Sequence, residues 1–410
     1  MWSKSIMMLV AISMVATGFA KSRTIKTTGI KGDILFSQQQ IGRELKVIGD
    51  SGKILNPVTM SSSGKVYYCN YADWRSGFFP GSLWYLYELT GKEYWAQEAE
   101  KFTESIEKAK KITYHHDIGF IINCSFGNGL RLKNIEAYKD VIITAAKSLS
   151  TRFRPAGGVL QSWNVTGNSW QAKRGWECPV IIDNMMNLEL MFKATQLSGD
   201  STYYRMAVSH ADRTLKEQFR PDGSCYHVVD YGLIDGKVHH RQTAQGYSDE
   251  SCWSRGQAWA IYGYTMCYRF TRFKRYLNQA IKTFHMMKNK TTMPDDLIPY
   301  WDMDAPKIPN EPRDVSSAAV IASALYELST IDIANANEYK NYADRIMNSL
   351  SSDKYRAQLG ANGNFLLMHS VGSIPHGAEV DKPLNYADYY YLEALTRRAY
   401  LELYFQKNDK

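Results

Sequence analysis

Apolar positions recur at intervals of three and four through most of this chain, the spacing of one face of an α-helix, while strict alternation is scarce. Periodicity and breakers delimit about twelve helical segments, near residues 35–48, 76–90, 94–110, 117–131, 135–150, 182–198, 201–217, 254–270, 273–289, 315–330, 336–352 and 386–404. Lys65 to Tyr71 and Ser224 to Tyr231 are the best candidates for short strands. A repeat lies beneath the helices. Leu89-Thr90-Gly91-Lys92 precedes Tyr94, Leu197-Ser198-Gly199-Asp200 precedes Tyr203 and Tyr204, and Phe270-Thr271-Arg272-Phe273 precedes Tyr276. Leu328-Ser329 and a longer insert precede Tyr339. Each time a helix ends, a tight turn follows and a Tyr opens the next helix; Gly just past a helix end is the expected cap.

Regular helical hairpins signal a repetitive all-α architecture. Twelve helices make six hairpins, for which a closed (α/α)6 barrel, a toroid with buried inner and amphipathic outer helices, is the natural arrangement; an open α-solenoid is the alternative. The long irregular stretches 151–181, 218–252 and 290–314 carry aromatic and polar residues. Long loops in a compact domain are usually functional, which favours closure around a site. No Pro/Gly/Ser linker divides the chain, so residues 21–410 read as one domain.

Residues 1–20 stand apart. Lys4 is followed by an apolar run from Ile6 to Val15, and Gly18-Phe19-Ala20 offers small residues for cleavage before Lys21. That is the plan of a signal peptide, and it implies a periplasmic or secreted protein. No later run is long enough for a membrane span. Composition is globular, with 44% hydrophobic and 22% charged residues among 410. A net charge of +8 favours anionic partners, but the basic residues are dispersed, which argues against nucleic acid and for acidic glycans. Six scattered cysteines form no CxxC and no zinc spacing, and free buried thiols are the expectation. No metal or other cofactor is implied.

Two carboxylates draw attention. Asp117 sits in His115-His116-Asp117-Ile118-Gly119-Phe120, and Asp183 interrupts an apolar run in Ile181-Ile182-Asp183-Asn184-Met185. Both stand at helix starts, where Asp is also a common cap. The apolar flanks of Asp183 imply a poorly hydrated carboxyl, costly unless neutral or paired. Tryptophans form a second group: Trp74, then Trp163, Trp170 and Trp176 in a long loop, then Trp253 and Trp259 flanking Arg255. Indole faces suit the C–H face of a sugar, with polar partners for its hydroxyls. The segment from Gln245 to Trp259 sets Gln, Arg and Trp before a helix, a plausible cradle for a carboxylate.

HHDIGF, IIDNMMNLEL, QGYSDESCWSRGQAWAIYG and HSVGS…PLNYADYYYLEAL, in that order, closely resemble glycoside hydrolase family 88, the unsaturated glucuronyl hydrolases. The resemblance spans nearly all of residues 21–410 and implies an (α/α)6 barrel. It implies that Asp183 is the acid/base and Asp117 its partner carboxylate, with His116 beside it. It implies further that His227, Gln245, Trp253 and Arg255 line the site, that Trp74 and Trp163 stack on sugar, and that Ser370 and Ser373 contact the second sugar. Trp259 joins the lining from its place beside Arg255. The expected substrates are di- and oligosaccharides ending in a 4,5-unsaturated uronic acid, left by a polysaccharide lyase and most compatible with glycosaminoglycan fragments. The alternatives are an unsaturated rhamnogalacturonyl hydrolase acting on pectin fragments, a non-catalytic periplasmic glycan-binding protein, and an α-toroid lyase. Arg255 and Gln245, with His227 nearby, are the candidates to meet the uronate carboxylate.

Overall fold

The computed structural model describes residues 30–408; the proposed signal peptide at 1–20 lies outside them. Twelve helical arms form the expected six hairpins. The outer arms are α1 (Lys31–Asp50), α3 (Glu93–Ser105), α6 (Ala137–Ser150), α8 (Ser201–Glu217), α10 (Lys274–Asn289) and α12 (Ala336–Leu350). The inner arms are α2 (Phe78–Thr90), the broken arm α4 (Ile118–Ile122) plus α5 (Asn128–Lys133), α7 (Asn184–Ser198), α9 (Ser254–Thr271), α11 (Val315–Ile331) and α13 (Asn385–Asn408).

Burial separates the two layers. On α12 the buried positions are Tyr339, Tyr342, Ala343, Ile346, Met347 and Leu350, a single helical stripe. On α11 every residue from Val315 to Tyr326 is buried, as an inner arm requires. Each inner arm packs on the next, and α13 packs back on α2, so the ring closes as an (α/α)6 barrel and the solenoid is excluded. Arg356 Nη1 donates to Asp33 Oδ1 at 2.6 Å, tying the C-terminal region to α1. Turn chemistry explains the repeat: Gly91 and Gly199 take left-handed φ of 67° and 76° as caps, and Arg272 takes the same conformation at 60° although it is not glycine.

Two helical segments differ from expectation. Residues 117–131 are interrupted by a π turn at Asn123–Gly127, and 94–110 ends as α3 followed by a 3-10 turn at Glu107–Lys111. The expected strands are present as β2 (Val66–Cys69) and β6 (Val228–Tyr231). Their partners were not expected: β1 (Asn56–Met60) pairs with β2, while β6 lies between β5 (Cys178–Ile181) and β7 (Val238–Gln242). β3 (Phe153–Arg154) and β4 (Val159–Leu160) form a short hairpin, and β8 (Ser370–Ser373) and β9 (Ala378–Lys382) another. The apolar run before Asp183 is therefore strand β5, paired to β6 from Cys178↔Tyr231 to Ile181↔Val228, and the helix starts only at Asn184. Because inner arms alternate with outer ones along the chain, their N-termini share one mouth, and the loops and hairpins entering them carry the motif residues. All six cysteines are unpaired, five of them buried. Among the described residues no single helix is long and apolar enough to cross a membrane.

Candidate active site

Asp183 enters α7 directly from β5. Its own backbone is already helical (φ −54°, ψ −28°), and its side chain caps no backbone N–H. The carboxyl is largely buried, and Oδ2 has no hydrogen-bond partner. Burial, opposed by Arg255 and reinforced by Asp117, pushes its pKa up to about 7. His227 Nε2 lies 3.8 Å from Asp183 Oδ2. The tautomer of His227 follows from its other nitrogen, which accepts the backbone N–H of Ala244 at 3.0 Å and of Gln245 at 3.1 Å. Nε2 therefore carries the proton and presents it to Asp183. Burial, then Arg255, holds His227 well below the usual histidine range, so it stays neutral.

Asp117 precedes α4 and likewise caps nothing with its side chain. Its Oδ1 is 3.2 Å from His116 Nε2, and its Oδ2 is 3.6 Å from His115 Nδ1. Burial raises its pKa to about 6, against the lowering pull of His115 and Arg152. His116 is fully buried and, by that burial, lowered to about 3. The first turn of α7 supports this corner. Asn187 Oδ1 accepts the Phe120 N–H at 2.9 Å, which leaves its Nδ2 to donate to His116 Nδ1 at 3.3 Å. His116 Nε2 is then the protonated nitrogen, directed at Asp117. The two arms approach so closely that a Cβ on Gly119 would lie 2.4 Å from Asn187 Cα.

Arg255 occupies a different position from the one expected of a free counter-charge. Nη1 donates to Asp314 Oδ2 at 3.0 Å and to the Val371 carbonyl, and Nη2 donates to Gln245 Oε1 at 2.9 Å and to the Gly372 carbonyl. Its ring partners are Trp253 at 4.8 Å and Tyr386 at 5.5 Å. The guanidinium is neutralised by Asp314 and committed to the protein, so it cannot also fork a carboxylate. What it does is orient: with Oε1 held, Gln245 presents its amide N–H groups, and β8 is fixed beside them. Ser370 is buried on β8 with an unpartnered Oγ, and Ser373 Oγ pairs with His376 Nδ1 at 2.7 Å.

The tryptophans divide. Trp163 stacks on Trp176 (6.0 Å, 19°) and meets Trp170 at 5.3 Å and His227 at 6.1 Å, forming an aromatic wall next to Asp183. Trp74 is partly exposed and leans on Tyr386 at 5.0 Å, and Trp253 packs on His227 at 4.4 Å. Trp259 is a correction. It is fully buried against Phe120 and Tyr390 and has no face for a sugar. Its indole N–H lowers Asp183 but makes no hydrogen bond of good geometry. The structure also adds residues that sequence reasoning missed: Asn187, Asp314, Tyr386 and Arg152. Asn184 and Asn187 are visible as polar breaks in an apolar helix start, and Tyr386 lies within PLNYADYYYLEAL; Asp314 and Arg152 carry no local signal. Among the described residues, no three His, Cys, Asp or Glu side chains converge as a metal-binding group.

A helical toroid with two buried carboxyl groups set among tryptophans and neutral histidines at its mouth defines a carbohydrate-active hydrolase. The family model described as Glycosyl Hydrolase Family 88 matches residues 54–401. The chain is 47% identical over 332 residues to an unsaturated glucuronyl hydrolase of Formosa agariphila, covering 81% of each chain. It is 30% identical over 333 residues to an unsaturated chondroitin disaccharide hydrolase of Streptococcus pneumoniae, covering 79% of this chain and 81% of that one. It superposes with a TM-score of 0.86 on the crystal structure of an unsaturated glucuronyl hydrolase specific for heparin, at 40% identity, covering 91% of this chain and 97% of that one. The chain belongs to Glycosyl Hydrolase Family 88.

Proposed function

We infer that the protein is an unsaturated glucuronyl hydrolase that removes a 4,5-unsaturated uronic acid from the non-reducing end of di- and oligosaccharides, by hydrating the C4=C5 double bond. Asp183 is the proton donor. The observation that carries this is its buried, uncapped and unpartnered carboxyl, pushed up to about 7 and therefore able to hold a proton near neutral pH.

The reaction runs as an addition of water. The Asp183 proton passes to C4, and water adds its oxygen to C5 while giving a proton back to the Asp183 carboxylate. The resulting hemiketal opens and releases the second sugar. Asp117 stays ionised and orients the sugar, with neutral His116 and His227 donating from their Nε2–H groups. Gln245, oriented by Arg255, and the Ser370 hydroxyl meet the polar edges of the substrate; Trp74 and Trp163 stack on sugar rings; Trp253 positions His227 and Arg255; Ser373 faces the second sugar. Two carboxylates straddling an anomeric carbon are not needed for this chemistry.

The class of substrate requires a polysaccharide lyase upstream, because β-elimination makes the double bond. Glycosaminoglycan fragments are favoured over rhamnogalacturonan by the relatives' described substrates and by the basic charge of +8. The N-terminal segment supports export, to the periplasm or beyond, of a single catalytic domain. The test is loss of the conjugated double bond's ultraviolet absorbance with lyase-generated heparin, chondroitin and rhamnogalacturonan disaccharides. Turnover of the first two by the wild type and not by Asp183→Asn supports the reading; turnover of rhamnogalacturonan alone, or full activity of the variant, overturns it.

A further inference from the structure

Two rims of the mouth touch outside the two carboxyl groups. One is the loop from Trp163 to Trp176; the other is the hairpin of β8 and β9, whose turn holds His376. Trp170 opens a single helical turn, Trp170–Lys173, capped by Ser169 Oγ, which accepts the Ala172 N–H at 3.2 Å. Its indole meets the His376 ring at 5.6 Å, inclined at 65°. Behind that contact a continuous series of rings leads to the acid: Trp170 to Trp163 at 5.3 Å, Trp163 to His227 at 6.1 Å, then His227 Nε2 to Asp183 Oδ2 at 3.8 Å. Exposure rises outward along the series, for His227 is buried, Trp163 half-buried and Trp170 40% exposed. An exposed indole by itself is ordinary. One that ends such a series and touches the opposite rim is part of the wall of the site.

Both rims are held in place by the protein itself. In the loop, Trp176 Nε1 donates to Gln242 Oε1 at 2.5 Å, and Arg174 lies over the Trp176 ring at 4.8 Å while donating to the Thr243 carbonyl. In the hairpin, Arg75 Nη1 donates to Glu379 Oε1 at 2.7 Å while its other nitrogens fork Asp73, and Arg255 holds the Val371 and Gly372 carbonyls. A wall formed in advance costs little ordering when a ligand binds. The His376 ring is oriented too, with Nδ1 2.7 Å from Ser373 Oγ. Either direction of that bond leaves a neutral ring and its serine one donor and one acceptor: if Ser373 donates, His376 Nε2–H and the serine lone pairs are free, and if His376 donates, the serine O–H and Nε2 are free. That is what a sugar hydroxyl needs, while an indole suits the C–H face of the same ring. We propose that Trp170 and His376 are specificity-determining residues that close the outer side of the second sugar's space, Trp170 against its C–H face and the His376–Ser373 pair against its hydroxyls. Selection is then exercised on the leaving pyranose, away from the double bond.

This deepens the reading of the chain as an unsaturated glucuronyl hydrolase and rests on it. The test compares a lyase-generated unsaturated chondroitin disaccharide with the methyl glycoside of the same unsaturated uronate, which has no second sugar. Trp170→Ala and His376→Ala are each expected to lower the ratio of kcat/KM, disaccharide over methyl glycoside, by about three- to tenfold, through KM rather than kcat. Combined, they should lose less than the product of the single losses, because they share one contact. Trp170→Phe, which keeps an aromatic face, should retain most of the ratio. A ratio unmoved in both alanine variants overturns the proposal, and so does an equal fall with both substrates, which is what a merely structural role would give. Binding is also read apart from turnover, by calorimetry of the disaccharide with Asp183→Asn. Adding Trp170→Ala to that variant should weaken Kd by a similar factor, and an unchanged Kd overturns the proposal. Failure of the hydrolase reading looks different: Asp183→Asn would then remain active on both substrates, whatever stands at position 170.

Discussion

His227 Nε2 and Asp183 Oδ2 face each other at 3.8 Å, both buried and neither hydrogen-bonded to the protein. The pairing is one of a neutral donor with a carboxyl that burial keeps protonated near neutrality. Histidine is held in that state by two backbone N–H groups on its far nitrogen, so a loop, Thr243 to Gln245, sets the chemistry of a side chain on another element. The carboxyl can therefore lose its proton to a substrate carbon without first exchanging it with an imidazole base.

Asp183→Asn should fold and lose roughly 10³-fold or more in kcat with an unsaturated disaccharide. It should also be the more stable protein at high pH. Since the folded pKa of Asp183 is raised from 3.8 to about 7, its favourable contribution is complete below pH about 4 and is lost as pH rises through about 7. Thermal melting at pH about 8 should favour the variant by a few kcal/mol, and at pH about 4 by much less. Equal effects at both pH values would contradict the burial argument.

The pH profile of kcat/KM should be a narrow bell. Activity requires Asp117 ionised and Asp183 protonated, so it falls below about 6 on one side and above about 7 on the other. The two limbs belong to the coupled pair rather than to either residue alone. Initial rates between pH about 4 and 9 check this, and a plateau extending well above neutrality would speak against Asp183 as acid.

Asp314→Asn keeps the shape of the side chain but strips Arg255 of its charge partner. An uncompensated buried guanidinium should cost about 3 kcal/mol or more in urea unfolding. The same change lets Arg255 act on Asp183 unopposed, so the basic limb of the activity bell should move to lower pH. A stability loss with no movement of that limb would confine the pair to a structural role.

Gly119→Ala places a Cβ 2.4 Å from Asn187 Cα, where backbone must give way. The expected cost is about 1–3 kcal/mol in urea unfolding, with kcat falling because Asn187 no longer supports His116. Gly32→Ala on α1, with open space around it, is the control and should be neutral or slightly stabilising.

Much of this was legible in the chain itself. The six hairpins follow from helical spacing and repeated turn-then-Tyr junctions, and Asp183 stands out because apolar residues flank it. What was hidden is what depends on distant partners. The run before Asp183 is a strand only because β6, some fifty residues on, pairs with it. The break at Asn123–Gly127 adds a residue to one turn of a helix that continues on either side, and Asn, Ser and Gly are as common in an ordinary helical turn as in a widened one. The sequence offers Arg255 as a candidate to meet the uronate carboxylate and hides its commitment to Asp314 and Val371, which lie 59 and 116 residues away. Trp259 joins the site lining on its place beside Arg255 in the sequence, yet on an inner helix it points into the core. Arg152, with its contacts to Thr113 and Ser162, carried no motif at all.

The central claim is that a proton reaches C4 of the uronate from the Asp183 carboxyl, and proton NMR of the reaction run in heavy water tests it most directly. The account predicts that the vinylic C4 signal disappears in step with release of the second sugar, leaving one deuterium at C4 in a single configuration, and that Asp183→Asn abolishes both events. A released uronate that still carries its vinylic proton would mean cleavage at the anomeric carbon and would contradict the account.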